Sequence, residues 1–400
     1  MAPGHRQVHG LSPLLPLLQK SAPDGTTRPM QTDLIDLISA SPGQRHVLTV
    51  LRYGQPGVGP KAMIQAALHA DEVPAMLVAQ KLRQLLAELD AREQMRGEVV
   101  LVPYANPLGL SQQLLGQHQG RFDLRDGSNF NRHLPDLTAA VVAAVQGQLG
   151  ADAASNTALA RQALRRAAAT LRAQDPVNDL KKRLLQLAVD SDIVLDVHCD
   201  SQAVVHLYAL TPQADLALEL GALVGAQAIL LATESGDQPF DEACSRPWYQ
   251  LQQQFPDHPM PLGCFSTTIE LRGEADTDHA LALQDARAIV EFLRRRGVIA
   301  GTPAPLPAAR CQPTPLAASE AITASHAGVV VFHKSPGDRV EVGEVVADLV
   351  DVDSGSVEPL RAQSAGVLYA RVATRWATPG KRLAKIAGTT LVRTGKLLGA

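Results

Sequence analysis

His69-Ala70-Asp71-Glu72 places an imidazole and a carboxylate three residues apart, directly behind the apolar run Lys61–Leu68 and just ahead of Pro74. A second apolar run, Ile193-Val194-Leu195-Asp196-Val197-His198, also ends on an imidazole. Two His and one carboxylate form a ligand set that hydrolytic zinc uses, leaving one position open for water. Asp196, two residues before His198, points to the same side of a strand, where it can accept the other ring N–H and fix the tautomer. With twelve His in the chain, about one His-x-x-Glu arises by accident. The context carries the reading, because both imidazoles follow buried strands rather than lying on a helical face. The expectation is one Zn2+ per chain, held by His69, Glu72 and His198.

The elements that must position these groups follow from periodicity. Residues 46–53, 61–68, 97–103, 193–198, 204–209, 226–232 and 265–271 are short, apolar segments that read as strands. Helical patterns fall between them, at about 74–92, 137–149, 154–188, 213–224 and 276–297. This alternation predicts an α/β fold: a mostly parallel or mixed sheet with helices on both faces. Such a sheet presents ligands beyond the carboxyl ends of its strands, where His69 and His198 lie. The Ala/Arg/Leu-rich stretch 154–189 reads as a solvated helical insertion, with a lid or a subunit interface as the alternatives. Residues 1–30 read as a loosely ordered arm, and 31–310 as the catalytic unit. A Pro-rich stretch over 301–318 marks a boundary. Beyond it, 316–400 contains two similar units, each opening on Ala-Gly-Val (from Ala327 and Ala365) and carrying Pro-Gly (Pro336-Gly337 and Pro379-Gly380). They predict a small all-β domain of two related halves.

In four ordered pieces the sequence resembles the succinylglutamate desuccinylase/aspartoacylase family, within the zinc carboxypeptidase-like (M14-type) hydrolases. His69-Ala70-Asp71-Glu72 is similar to its His-Gly-Asp-Glu. The stretch from Arg121 to Asn129-Phe130-Asn131-Arg132 is similar to an Arg-rich loop ending in Asp-Leu-Asn-Arg. Leu195-Asp196-Val197-His198 is similar to Leu-Asp-Leu-His, and Thr268-Ile269-Glu270-Leu271-Arg272-Gly273 to the strand of the catalytic Glu. Ala70, Asn129-Phe130 and Cys199-Asp200 depart from the family pattern. The resemblance also implies that the tail is a biotinyl/lipoyl-type barrel sandwich. Its hairpin, Asp351–Ser356, has no Lys to carry a prosthetic group.

The resemblance implies roles. Glu270 is the general base. Arg121 stabilises the oxyanion, with Arg125 as a competitor. Asn131 and Arg132 hold a substrate carboxylate, the Arg by a bidentate fork. Tyr249, in Arg246-Pro247-Trp248-Tyr249, is a candidate assisting group at the substrate. The implied function is a zinc-dependent amidohydrolase that deacylates an N-acyl amino acid or a similar small carboxylate-bearing amide. A metallocarboxypeptidase acting on a peptide C-terminus is the alternative, and a non-catalytic zinc- and carboxylate-binding protein a more distant one.

Composition narrows the partners. A net charge of −3, with no Lys/Arg cluster beyond a helix face and only 4% aromatic residues, argues against nucleic acid. The first apolar run, Leu14–Leu18, is too short to span a bilayer, and it lacks the basic flank of a signal peptide. Four Cys without Cys-x-x-Cys spacing fit reduced thiols in the cytoplasm. The expected partner is a small molecule, an N-acyl amino acid or short peptide, with homo-oligomerisation left open.

Overall fold

The computed structural model describes residues 31–397; the arm expected over residues 1–30 lies outside them. Nine strands form one mixed sheet: β1 (Gln31–Asp36), β2 (Val47–Gly54), β3 (Lys61–Ala66), β4 (Glu98–Val102), β5 (Ile193–Asp200), β6 (His206–Leu210), β7 (Ala228–Ala232), β8 (Phe265–Gly273) and β9 (Pro313–Pro315). Their spatial order is β1-β2-β4-β3-β5-β8-β6-β7-β9. The centre, β4-β3-β5-β8, is parallel. β1 and β2 run antiparallel at one side, and β6 is antiparallel to β8.

Alternation along the strands feeds two cores, one on each face. Ala62, Ile64, Leu195 and Val197 pack with α1 (Val73–Ala91) and α7 (His279–Arg295). Met63 and Val194 pack with α2 (Thr138–Val145), α3 (Ala153–Thr170), α4 (Pro176–Ala188) and α6 (Phe240–Gln254). α5 (Ala214–Val224) joins the first face. α1 shows why such helices form here: Pro74 pre-sets the first turn, and Ala75, Val78, Ala79, Leu82 and Leu86 make one buried stripe.

Four expectations need correction. The stretch 154–188 is two helices, broken where Asp175 caps a new start ahead of Pro176. It is neither a solvated excursion nor a lid: Ala160, Leu164, Leu180 and Leu184 are buried in the sheet's core. Arg246-Pro247-Trp248-Tyr249, in a stretch where periodicity marked no element, is the middle of α6, with Pro247 inside the helix. The Pro-rich segment is not only a linker, because Pro313–Pro315 pairs with β7 as an edge strand, where a missing N–H costs little. β1, an edge strand with mostly exposed side chains, was not anticipated.

The tail folds into two antiparallel sheets. One holds Ser319–Thr323, Arg382–Ala387, Gly366–Arg371 and Arg339–Val340; the other holds Val357–Arg361, Val345–Val350, Gly328–Phe332 and Trp376–Ala377. Ile322, Val330, Leu349, Leu368 and Ile386 fill the space between them. Gly337 and Gly380, with φ of 98° and 77°, follow their prolines through a backbone region that suits glycine, so the repeated Pro-Gly pairs are turns. The tail is joined to the main body by strand pairing: the short strand Gln202–Ala203, just after β5, pairs with Gly366–Arg371.

Candidate active site and metal centre

β3 ends at Ala66, and the chain turns through His69 into α1. Glu72 is the residue that caps α1, yet its side chain makes no capping bond to the helix. Its carboxylate faces two imidazoles instead: Oε1 is 2.9 Å from His69 Nδ1, and Oε2 is 2.7 Å from His198 Nδ1. The backbone N–H of Cys199 donates to Oε2 at 3.1 Å. The position is favourable for an anion, at the positive end of the helix dipole. All three side chains are buried, and their ligand atoms lie within 4.8 Å of one another.

The far nitrogens show which lone pairs are available. Arg121 Nη1 lies 3.1 Å from His69 Nδ1, and a guanidinium only donates. His69 therefore carries its proton on Nε2, which donates to Asn129 Oδ1 at 3.0 Å. His198 Nε2 lies 2.9 Å from Asp196 Oδ2. Asp196 is steadied in turn by Gln65 Nε2, which donates to Oδ1 at 2.9 Å. Both rings thus turn Nδ1 toward one point beside Glu72, as a divalent metal requires. The electrostatics agree. Burial raises Glu72, but His198 and His69 outweigh it and hold the carboxyl well below its usual range. Burial lowers His69, with Arg121 adding to it. Burial opposes the charge on His198, but Asp196 and Glu72 prevail and raise it well above the ordinary imidazole value. This is a buried carboxylate that demands positive charge. The donor set fits a metal ion.

Glu270 stands next to His198, because β8 and β5 pair in parallel with those two residues in register. It is inside the strand, which runs on to Gly273. Its Oε2 is buried without a hydrogen-bond partner among the described residues. Burial, reinforced by Glu72, pushes its carboxyl up to about 8.

The Arg-rich loop supplies the rest. Arg121 Nη1 donates to Glu72 Oε1 at 3.2 Å and lines the cavity. Arg125, its competitor, is turned away into an ion pair with Asp123. Asn131 and Arg132 are buried in the cavity wall. Asn131 Nδ2 lies 3.2 Å from His198 Nε2, and Asn131 Oδ1 accepts from Phe240 N, the first residue of α6, at 2.8 Å. Lys181 of α4 donates to the Arg132 carbonyl at 2.7 Å, propping the loop from behind.

These groups share one cavity of about 330 Å³. Tyr249 is not among its lining residues: α6 begins at the cavity and leads away from it, and Ser245 is its last residue at the wall. Two other tyrosines take part, Tyr208 from β6 and Tyr369 from the tail. The tail also contributes Ser319, Arg382, Lys385 and Arg393. Lys385 pairs with Asp200, two residues past His198. Burial works against the Lys385 charge, but Asp200 wins and raises it. Sequence reading missed these residues because each is remote from the motifs it joins; only the repeat of the tail hinted at a folded unit there. His206 is a core residue: Nδ1 donates to Val204 O at 2.9 Å, and the ring packs on Tyr208 and Tyr369.

A sheet-rim His–Glu–His cluster, with a carboxylate on the neighbouring strand and a buried Asn–Arg pair in the cavity wall, resembles the arrangement of the zinc carboxypeptidase-like hydrolases. The chain belongs to the succinylglutamate desuccinylase/aspartoacylase family, whose catalytic-domain model matches residues 58–295. It is similar to a family protein of Shewanella amazonensis SB2B: 26% identity, TM-score 0.79, with 89% of this chain and 98% of that one covered. A family protein of Shewanella frigidimarina is similar at 25% identity and TM-score 0.79, with 90% and 97% covered. The ectoine utilization protein EutE of Ruegeria pomeroyi shares the fold at 17% identity and TM-score 0.65, with 90% and 95% covered. A comparison with curated proteins gave no match.

Proposed function

We propose that the chain is a zinc-dependent amidohydrolase that removes an acyl group from an N-acyl amino acid or a similar small carboxylate-bearing amide. One observation carries the reading: Glu270, whose Oε2 has no hydrogen-bond partner among the described residues, and the buried Asn131–Arg132 pair share with the His–Glu–His cluster a cavity of about 330 Å³. That volume suits a small molecule. A zinc ion on His69, Glu72 and His198 would lower the pKa of water to about 7 and polarise the scissile carbonyl. Asn131 and Arg132 bind the substrate carboxylate and so fix where the amide lies. Glu270 accepts the proton of the attacking water and returns it to the leaving nitrogen; a carboxyl raised by burial is suited to holding a proton between those steps. Arg121 donates to the developing oxyanion.

A metallocarboxypeptidase would use the same clamp on a peptide C-terminus. The tail's contribution to the cavity wall favours the small substrate. Buried free thiols at Cys199, Cys244 and Cys264 support a place in the cytoplasm, and no helix among the described residues is long and apolar enough to cross a membrane.

The test is a panel of N-acyl amino acids and dipeptides with the zinc-loaded protein, with and without chelator, alongside metal analysis of variants. His198→Ala should lose its zinc. Full zinc content in that variant would overturn the ligand assignment, and activity surviving complete metal removal would overturn the mechanism. Cleavage of dipeptides alone would favour the carboxypeptidase.

A further inference from the structure

Past its last strand, Arg382–Ala387, the tail sends a further segment back over the catalytic unit. Residues 389–397 form no helix or strand, and most of them are exposed. Yet Arg393 and Leu397 line the cavity. Leu397, only 9% exposed, joins the apolar cluster of Leu230, Leu316 and Tyr369. One side of the segment thus faces the cavity and the other faces water, so it is a single layer of chain between the two.

Its moorings are few. Among the described residues, the N–H groups of Val392 and Arg393 both donate to Ala317 O at 3.0 Å, and Leu397 N donates to Ser235 O at 2.8 Å. Lys396 pairs with Asp237. The Lys396 side chain is 71% exposed, where water and salt weaken an ion pair. Between these moorings Gly395 takes φ of 74° with open space around it, which suits a backbone pivot. The receiving loop is strained: Asp237 and Gln238 have φ of 59° and 48°, a region that non-glycine residues rarely adopt. Their carbonyls accept from His133 N at 2.6 Å and Leu134 N at 3.1 Å, just past Arg132. The loop that receives Lys396 therefore also braces the Asn131–Arg132 stretch.

We propose that residues 394–397 are a lid over the cavity, latched by Lys396 on Asp237 and sealed by Leu397, with the Ala317 bonds as its hinge. When the lid opens, the Ser235 and Asp237 contacts break together and Leu397 leaves the apolar cluster. The cavity then gains a mouth between the tail and the start of α6, wide enough for a small molecule. Closing the lid shuts water out from the buried groups behind it. The latch is the weak part and the apolar seal the strong one, so the closed form needs no bound molecule. The proposal concerns entry alone and does not rest on the deacylase reading.

The test reads entry without turnover. Cys199 lines the cavity, while Cys311 lies elsewhere and is partly exposed. The full chain is treated with N-ethylmaleimide, and mass spectrometry follows each thiol. Lys396→Ala should label Cys199 about 2- to 5-fold faster than the wild type, the scale of one exposed ion pair. Leu397→Ala should label it at least ~10-fold faster, because a buried apolar contact is lost. Cys311 should keep its rate in both. Lys396→Arg should restore the wild-type rate, and salt at about 1 M should speed the wild type but not Lys396→Ala. A Cys199 rate equal to the wild type's in either Ala variant overturns the proposal. So does a parallel rise at Cys311, which marks a general loosening. If Cys199 stays unlabelled throughout, amide exchange decides. The Leu397 N–H should then exchange faster in Lys396→Ala, while the Val392 N–H at the hinge keeps its rate. Unchanged exchange at Leu397, or a matching rise at Val392, overturns the lid.

Discussion

Glu72 caps a helix by position and serves the imidazoles by chemistry, so one residue joins the start of α1 to the centre of the site. The same economy makes Glu270 testable. Glu270→Gln keeps the shape and removes the proposed base. It should retain zinc and substrate affinity while turnover falls at least ~100-fold; activity within a factor of a few would place the base elsewhere. Arg132→Ala should act mainly on KM, because it weakens substrate and transition state alike. A third outcome concerns stability. Burial lowers His206 to about 4 from 6.5. Above pH 6.5 the ring is neutral in both states. As pH falls from there toward 4, the unfolded chain takes up a proton that the folded one refuses. Up to about 3 kcal/mol of stability is lost across that window. Urea melts at pH 7 and pH 4.5 should show the loss, and His206→Gln should reduce it. His69, Glu72, His198 and Glu270 were legible because each follows or lies in an apolar strand. Tyr249 was misplaced for want of knowing which way its segment runs. Lys385 and Tyr369 had no local signature at all.

At the scale of elements, the site depends on one close approach between loops. Gly120 presses against the His69 turn, and a Cβ there would lie 2.0 Å from Asp71 N and 2.5 Å from the Ala70 carbonyl carbon. The contact is sealed by Ala70 N donating to Gly120 O at 3.0 Å. Gly120→Ala must push the ligand turn and the Arg121 loop apart. It should cost about 1–3 kcal/mol, the usual scale of overpacking, and weaken zinc retention. Unchanged zinc affinity and melting temperature would show that the two loops are not coupled there. The central strands were readable from their apolar runs. α6 was not, because Pro247 and a charged opening disguised a helix whose buried face includes Trp248 and Leu251. β1 was hidden because an edge strand exposes most of its side chains and so shows no apolar run.

For the whole molecule, the catalytic unit and the tail are not independent. Tyr369, Ala370 and Leu316 pack on Val204, Ala228 and Leu230 in one apolar cluster. Val204 N donates to Tyr369 O at 2.9 Å, and Ala373 N to Ser201 Oγ at 2.9 Å. A chain ending at residue 310 would expose that cluster and lose β9. It should melt lower or aggregate, and any soluble fraction should accept larger substrates. Equal stability together with an unchanged substrate profile would show that the tail is dispensable. The repeat made a folded tail foreseeable; its place in the cavity wall was not, since no sequence motif marks which face of a small β unit meets a distant loop.

That strand pairing between Gln202–Ala203 and Gly366–Arg371 also orders events in time. A ribosome releases His69, Glu72 and His198 long before it reaches Tyr369 and Lys385. On the proposed reading, the nascent chain would own its set of metal ligands while its pocket still lacks a wall. Metal capture could then precede closure, and a substrate would meet the finished pocket only once the last strands dock.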